Sequence, residues 1–349
     1  MEISLFSSES NIQYKKDIYN VIAAPQNALY RFRYKSKYID ESLLPDIKNN
    51  KLIGSQVLIL YRSNSDQANV EPFMVPIRWG VIEETFFISE ICIITFRVKN
   101  YPLFNQDFID AAQNEQSNIL FSKKFFEVNN RNEKYVLPII PNVVNRIDSN
   151  SKDSEKGWIS IIEALKHHKT FSKSVFYRTV LPKNDRESHP MTFELKEKDY
   201  KEIEIWHYCS DDTAICAADV EILCDPNLIN PISGTKNKLE CRYDRTKYAF
   251  QALKGGKGLK GQITFNIKTL DENDSPMKSE ETKICIPTDI KKRWSSRIGR
   301  AVLSFAGSAL ISVVATFASL QTEMPLWICI VMLLTGSLFA AVNWLIGED

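Results

Sequence analysis

Two runs without a single charged side chain close this 349-residue sequence, and they constrain it more than anything upstream. Ala301–Leu320 (AVLSFAGSALISVVATFASL) and Leu326–Ile346 (LWICIVMLLTGSLFAAVNWLI) each reach the about 20 apolar residues needed to cross a bilayer core. Between them lies QTEMP, with Glu323 and the turn-forming Pro325, so an antiparallel hairpin of two transmembrane helices is expected. One such run reads equally well as a buried helix of a soluble core; two in tandem do not. Lys291, Lys292, Arg293, Arg297 and Arg300 crowd the approach to the first run, whereas the turn carries no Lys or Arg. The positive-inside bias then assigns everything before the hairpin to the cytoplasm. Trp294, Trp327 and Trp344 fall near the expected interfaces.

Within the first run Ser304, Ser308, Ser312 and Thr316 recur every four residues and form one hydroxyl stripe. Two readings stand side by side. Small hydroxyl residues let helices pack closely and hydrogen-bond across the contact; alternatively, several copies turn the stripe inward and line a narrow wet pore. In the second run Gly336 with Ala340, and Ser337 with Ala341, form small-xxx-small pairs.

Upstream of the hairpin, 44 basic and 43 acidic residues in the whole chain nearly cancel, so bulk charge selects no partner. The seven cysteines (Cys92, Cys209, Cys216, Cys224, Cys241, Cys285 and Cys329) are scattered and contain no Cys-x-x-Cys pair. That argues against a disulfide framework and against zinc, and reads as reduced thiols in a cytosolic domain. The N-terminus lacks the pattern of a secretory signal. The four histidines have no metal-ligand spacing, and no cofactor is expected.

The expected architecture is a β-rich α+β soluble region in two parts, followed by the hairpin. Residues 1–148 read as an N-terminal β-rich domain, with a barrel as one form of it. Its strands are expected at 28–39, 55–63, 72–88, 91–101, 121–128 and 135–140, and helices at Asp40–Lys48 and Asp107–Gln116. Residues 149–191 read as a linker and a helix whose stripe is Trp158, Ile161, Ile162 and Leu165. Residues 192–290 hold short alternating segments with turn signals between them, as in an antiparallel sandwich of immunoglobulin-like type. Asp271–Glu281 reads as an acidic loop, 291–300 as a basic collar, and 301–349 as the hairpin.

No motif carries catalysis. A Gly-x-Ser-x-Gly elbow is absent, His167–His168 reads as a solvated pair, and Glu83–Glu84 reads as a turn. Lys254–Gly261 (KGGKGLKG) lacks the Gly-Lys-Ser/Thr ending of a phosphate loop and precedes a strand, so it reads as a glycine-rich hairpin loop. Lys254, Lys257 and Lys260, with the collar Lys291, Lys292, Arg293, Arg297 and Arg300, are expected to touch anionic lipid headgroups. In the strand Tyr30–Tyr38, alternation sets Arg31, Arg33, Lys35 and Lys37 on one face and Tyr30, Phe32, Tyr34 and Tyr38 on the other. Arg62 and Arg78 are expected to extend the basic patch, which suits a phosphate-bearing ligand such as a nucleotide or oligonucleotide. A solvated edge strand protected by its charges fits the same pattern.

In layout, through the Ala301–Leu320 and Leu326–Ile346 pair, the collar Lys291–Arg300 and the basic strand Arg31–Lys37, the chain resembles the membrane effectors of prokaryotic anti-phage signalling systems. The resemblance implies a multi-pass protein of the inner membrane. Its cytoplasmic domain senses a ligand or partner, and its helices oligomerise and permeabilise the bilayer. The competing reading is a membrane-anchored adaptor that binds a cytoplasmic protein, with the hairpin as a passive anchor.

Overall fold

The computed structural model describes residues 3–8, 11–63, 74–104, 134–139, 147–148, 155–166, 168–186, 191–210, 217–240, 243–256, 258–270 and 276–292, with Ile328, Ile330, Val331 and Leu334–Gly336. Among the described residues no helix is long and apolar enough to cross a membrane. Apart from those last few helical positions, the runs 301–320 and 326–346 lie outside the described residues, as do the expected elements at 107–116 and 121–128.

The chain opens with β1 (Ile3–Ser8) and α1 (Ile12–Ala23). Asn11 starts this helix, its side-chain oxygen accepting from the Gln13 amide at 2.9 Å, and Ile18, Tyr19, Val21 and Ile22 form its buried face. Next come β2 (Leu29–Lys35), a 3-10 turn (Ser36–Tyr38), α2 (Leu44–Lys48), β3 (Gln56–Arg62), β4 (Met74–Ile88) and β5 (Ile91–Val98). The short β6 (Leu103–Phe104), β7 (Val136–Pro138) and β8 (Ile147–Asp148) follow. The helix expected from Asp40 begins only at Leu44. Asp40 instead accepts from the Ser42 amide in a turn, and Pro45 fits the first helical turn because its missing N–H is not needed there.

Six strands form one sheet in the order β2-β5-β4-β3-β1-β7, with β1 parallel to β3 and the other pairs antiparallel. The sheet curls until its two ends meet. Beyond β2, the Tyr135 amide donates to Tyr38 O at 2.7 Å and the Asp40 amide to Val136 O at 2.9 Å. Glu83 and Glu84, expected in a turn, lie within β4, where a bulge interrupts the pairing and both carboxylates meet arginines.

The second half holds α3 (Glu155–Lys166), β9 (Val175–Val180), α4 (Lys183–Arg186), β10 (Phe193–Lys196), β11 (Tyr200–Cys209), β12 (Ala217–Leu223) and β13 (Ile229–Pro231). It ends with β14 (Lys236–Glu240), β15 (Tyr243–Ala252), β16 (Leu259–Leu270) and β17 (Pro276–Lys291). A five-stranded sheet, β10-β17-β16-β12-β14, packs on a four-stranded one, β13-β15-β11-β9. Tyr248 and Phe250 meet Phe265 edge-on between the two sheets, and Phe193 meets Phe250 in the same way. β9 lies in the stretch read as linker and helix, and its pairing with β11 makes it part of the sandwich.

Two sequence expectations change here. The acidic stretch before Glu281 is not all loop, because β17 begins at Pro276 and Glu280 is only 4% exposed. The glycine-rich segment is not a hairpin either: it joins β15 to β16, which belong to different sheets. A Cβ on Gly255 would stand 2.7 Å from Lys291 O, so only glycine lets this crossover lie against the end of β17.

One continuous core runs through both halves. α1 packs on β17 and β9 as well as on β1 and β4. Trp158 of α3 meets Trp206 and Tyr208 on β11 while the helix also packs on β4, so its apolar stripe sits between the sandwich and the first sheet. A ladder of cations on rings crosses the junction: Arg78 lies 3.6 Å from the Tyr101 ring centre, and Arg178 faces both Tyr101 and Trp206. Arg245 stacks on Trp206 at 4.1 Å. His168 is half-buried against Tyr61 rather than solvated. Cys92, Cys224 and Cys285 are free, whereas Cys209 is disulfide-bonded, against the all-thiol expectation.

Candidate functional site

The alternation expected for β2 is present: Arg31, Arg33 and Lys35 are exposed while Phe32 and Tyr34 are buried. Lys37 follows in the 3-10 turn, its ammonium 4.9 Å from the Tyr38 ring centre. β2 is a sheet edge, and the curl of the sheet brings the opposite edge and α1 toward it. Between them lies a cavity of about 540 Å³. Arg31, Arg33 and Lys35 form one wall; Asn11, Gln13, Tyr14 and Asp17 of the α1 entry form the other. Tyr38 and Tyr135, stacked edge-on at 5.5 Å, also line it. The volume is that of an ordinary small-molecule site.

The charges are unequally answered. Arg31 donates to Thr95 Oγ1 at 3.3 Å, stands 3.8 Å from Glu84 and lies over Phe86. Arg33 faces Asp17, and among the described residues neither Arg33 nor Lys35 enters an ion pair. Residues two apart on one strand face are about 7 Å apart. Like charges at that distance repel by about 0.6 kcal/mol in water and about 2 kcal/mol in a partly screened cleft. A bound polyanion reverses the sign of that interaction. The first turn of α1 carries no acidic residue, so its amide dipoles favour an anion as well.

Asp17 is the exception in this basic setting. Burial pushes its carboxyl up to about 6, although the Gln13 side chain donates to it at 3.3 Å and Arg33 pulls the other way. A carboxylate poised near neutrality accepts a hydrogen bond from an amine or amide donor of a ligand.

Arg62 and Arg78 do not extend the patch. Arg62 is 9% exposed, donates to Lys134 O and lies over the Tyr135 ring, so it backs the cavity wall instead of lining it. Arg78 is wholly buried and donates to Ala24 O at the end of α1. The cause is a bulge between the partners of Ile59 and Leu60, which turns Arg78 to the helix-covered face alongside Ile59. The α1 wall was missed from the sequence because the helix itself was missed; its available signal was Asn11 followed by apolar residues at positions 18, 21 and 22.

Of the residues assigned to lipid contact, Lys254 and Lys260 are exposed and lie at the same end of the sandwich as Lys291 and Lys292, where β17 ends. Lys291 is engaged by Glu194 and Asp289. Lys257, Arg293, Arg297, Arg300, Ser304, Ser308, Ser312 and Thr316 lie outside the described residues. Among the described residues no cluster of His, Cys, Asp or Glu is suited to a metal ion.

No protein-family profile matches this chain, and no curated protein sequence does so. Solved structures similar to part of it include the human complex of zinc 2-glycoprotein with prolactin inducible protein (8% identity, TM-score 0.24, 34% of this chain and 94% of the other). A cohesin module from a Clostridium perfringens family 33 glycoside hydrolase is similar at 8% identity and TM-score 0.24, covering 34% of this chain and 98% of the module. The CARDB domain of the Pyrococcus furiosus PF1109 protein is similar at 8% identity and TM-score 0.22, covering 35% and 96%. At these TM-scores the likeness carries no argument, and the β-rich sandwich stands on its own strand pairing.

Proposed function

We propose that this chain is a ligand-gated membrane effector, of the kind used in prokaryotic anti-phage defence. Its curled N-terminal sheet binds a phosphate-bearing ligand, its sandwich is of immunoglobulin-like type, and its last two apolar runs span the inner membrane as a hairpin. The observation that carries the reading is the cavity bounded by Arg31, Arg33 and Lys35 on β2 and by the N-terminus of α1, in a chain that ends in two uncharged runs. The ring walls and Asp17 suit a nucleotide: phosphates toward the basic strand, a base against Tyr38 or Tyr135, and a base amine on the carboxylate. Oligomers form through the hairpins, and the ligand sets whether they open a path through the bilayer.

Membrane potential in cells expressing the full chain is the test. Depolarisation by the full chain, and none by a chain ending near Asp289, is the expected result. Phosphate compounds that co-purify with the wild type should be lost from an Arg33→Glu/Lys35→Glu variant. An intact potential under every triggering condition rules the effector out in favour of a passively anchored adaptor.

A further inference from the structure

Resting on that reading of the cavity, we infer that α1 is the transmission element through which cavity occupancy acts on β17, the strand that leads to the apolar runs. Gln13, Tyr14 and Asp17 line the cavity, while Lys15, Lys16, Tyr19 and Asn20 meet the sandwich half. At about 100° per residue Tyr14 and Asp17 lie on the side away from Lys15 and Tyr19, while Gln13 and Asn20, seven residues apart, share the border between the two faces.

The sandwich-facing contacts form a clamp of polar groups across the junction. Lys16 Nζ donates to Glu281 Oε2 at 2.5 Å, and Lys15 Nζ stands 3.6 Å from Glu280 Oε1. The Lys283 amide donates to Asn20 Oδ1 at 2.7 Å. Tyr19 Oη donates to Ser174 Oγ at 2.7 Å, and Ser174 Oγ donates to Glu280 Oε1 at 2.8 Å. Tyr19, Ser174 and Glu280 are each less than 5% exposed. Burial pushes the Glu280 carboxyl up, against the pull of Lys15 and its hydrogen bonds.

A buried network of this kind holds one geometry strongly and tolerates intermediate ones poorly, because each half-made contact strands a desolvated group. A helix of 12 residues moves as a body. A shift of its first turn toward an anion therefore displaces Lys15, Lys16 and Asn20 together. They hold β17 at Glu280–Lys283, and β17 runs unbroken from there to Lys291 beside the glycine-rich crossover. After Lys292 the sequence enters the basic collar and the first apolar run.

The test uses the full-length chain in lipid nanodiscs, titrated with tripolyphosphate by calorimetry while amide exchange over 276–291 is followed. The wild type should bind and change its exchange over 276–284. Because coupling is reciprocal, a Glu280→Gln/Glu281→Gln variant, which leaves the cavity lining intact, should change tripolyphosphate affinity by about five-fold or more. Lys16→Glu combined with Glu281→Lys rebuilds the outer ion pair in reverse with Glu280 untouched and should keep the wild-type affinity, which separates coupling from damage to the fold. Binding with unchanged exchange in β17 and equal affinity in the clamp variant overturns the inference and leaves the cavity reading standing. No binding at all overturns the cavity reading, and the inference with it.

Discussion

Replacing Asp17 with asparagine should make the protein more stable at neutral pH, and the size of the gain follows from the site. Burial raises the carboxyl from 3.8 to about 6. Its ionised form is therefore disfavoured in the folded chain by about 3 kcal/mol at full weight, at 1.36 kcal/mol per pKa unit. The carboxyl keeps partial solvent access, so about 1–2 kcal/mol is the realistic figure. The folded state holds its proton more tightly than the unfolded state, so stability falls as pH rises from about 4 to about 6 and stays lowered above that. The amide side chain removes the charge and keeps an oxygen for Gln13. Thermal unfolding of the full chain in detergent should show Asp17→Asn melting about 2–8 °C above wild type at pH 7, with the gap closing at pH 4. An unchanged or lower melting temperature at pH 7 would refute a buried, strained carboxylate at this position. It would also remove the argument that Asp17 is kept for a ligand.

Three further perturbations read other parts of the molecule. Lys15→Met leaves the buried Glu280 without its cation and should cost about 3 kcal/mol, measured by thermal unfolding. That loss should shrink on acidification, because the raised Glu280 carboxyl takes up its proton first. Gly255→Ala drives a Cβ to 2.7 Å from Lys291 O and 2.9 Å from Lys292 Cα, so calorimetry should register a loss of about 1–3 kcal/mol. Ser308→Leu should abolish depolarisation if the hydroxyl stripe lines a pore, whereas an unchanged potential response assigns the stripe to helix packing.

The alternation in Leu29–Lys35 and the helical stripe of α3 could be read directly, because both are local periodicities: residues two apart share a strand face, and residues three or four apart share a helix face. The same rule misplaced Arg78, since one extra residue in a bulge exchanges the two faces of everything beyond it. Residue type, rather than periodicity, misled at Glu83, Glu84 and Glu280. Acidic residues signal turns on average, but here arginines on nearby strands answer Glu83 and Glu84, and a lysine from the other half together with Ser174 answers Glu280.

Sequence alone determined the basic face of β2, the strand-rich character of both halves and the uncharged closing runs, because each depends on neighbours in the chain. Tertiary structure decided that Tyr14, Arg33 and Tyr135 surround one cavity and that Lys15 meets Glu280. Those pairings depend on how far a twisted sheet curls and on which side of a helix is left to face a second domain. Both are set by the packing of the whole core rather than by any local pattern.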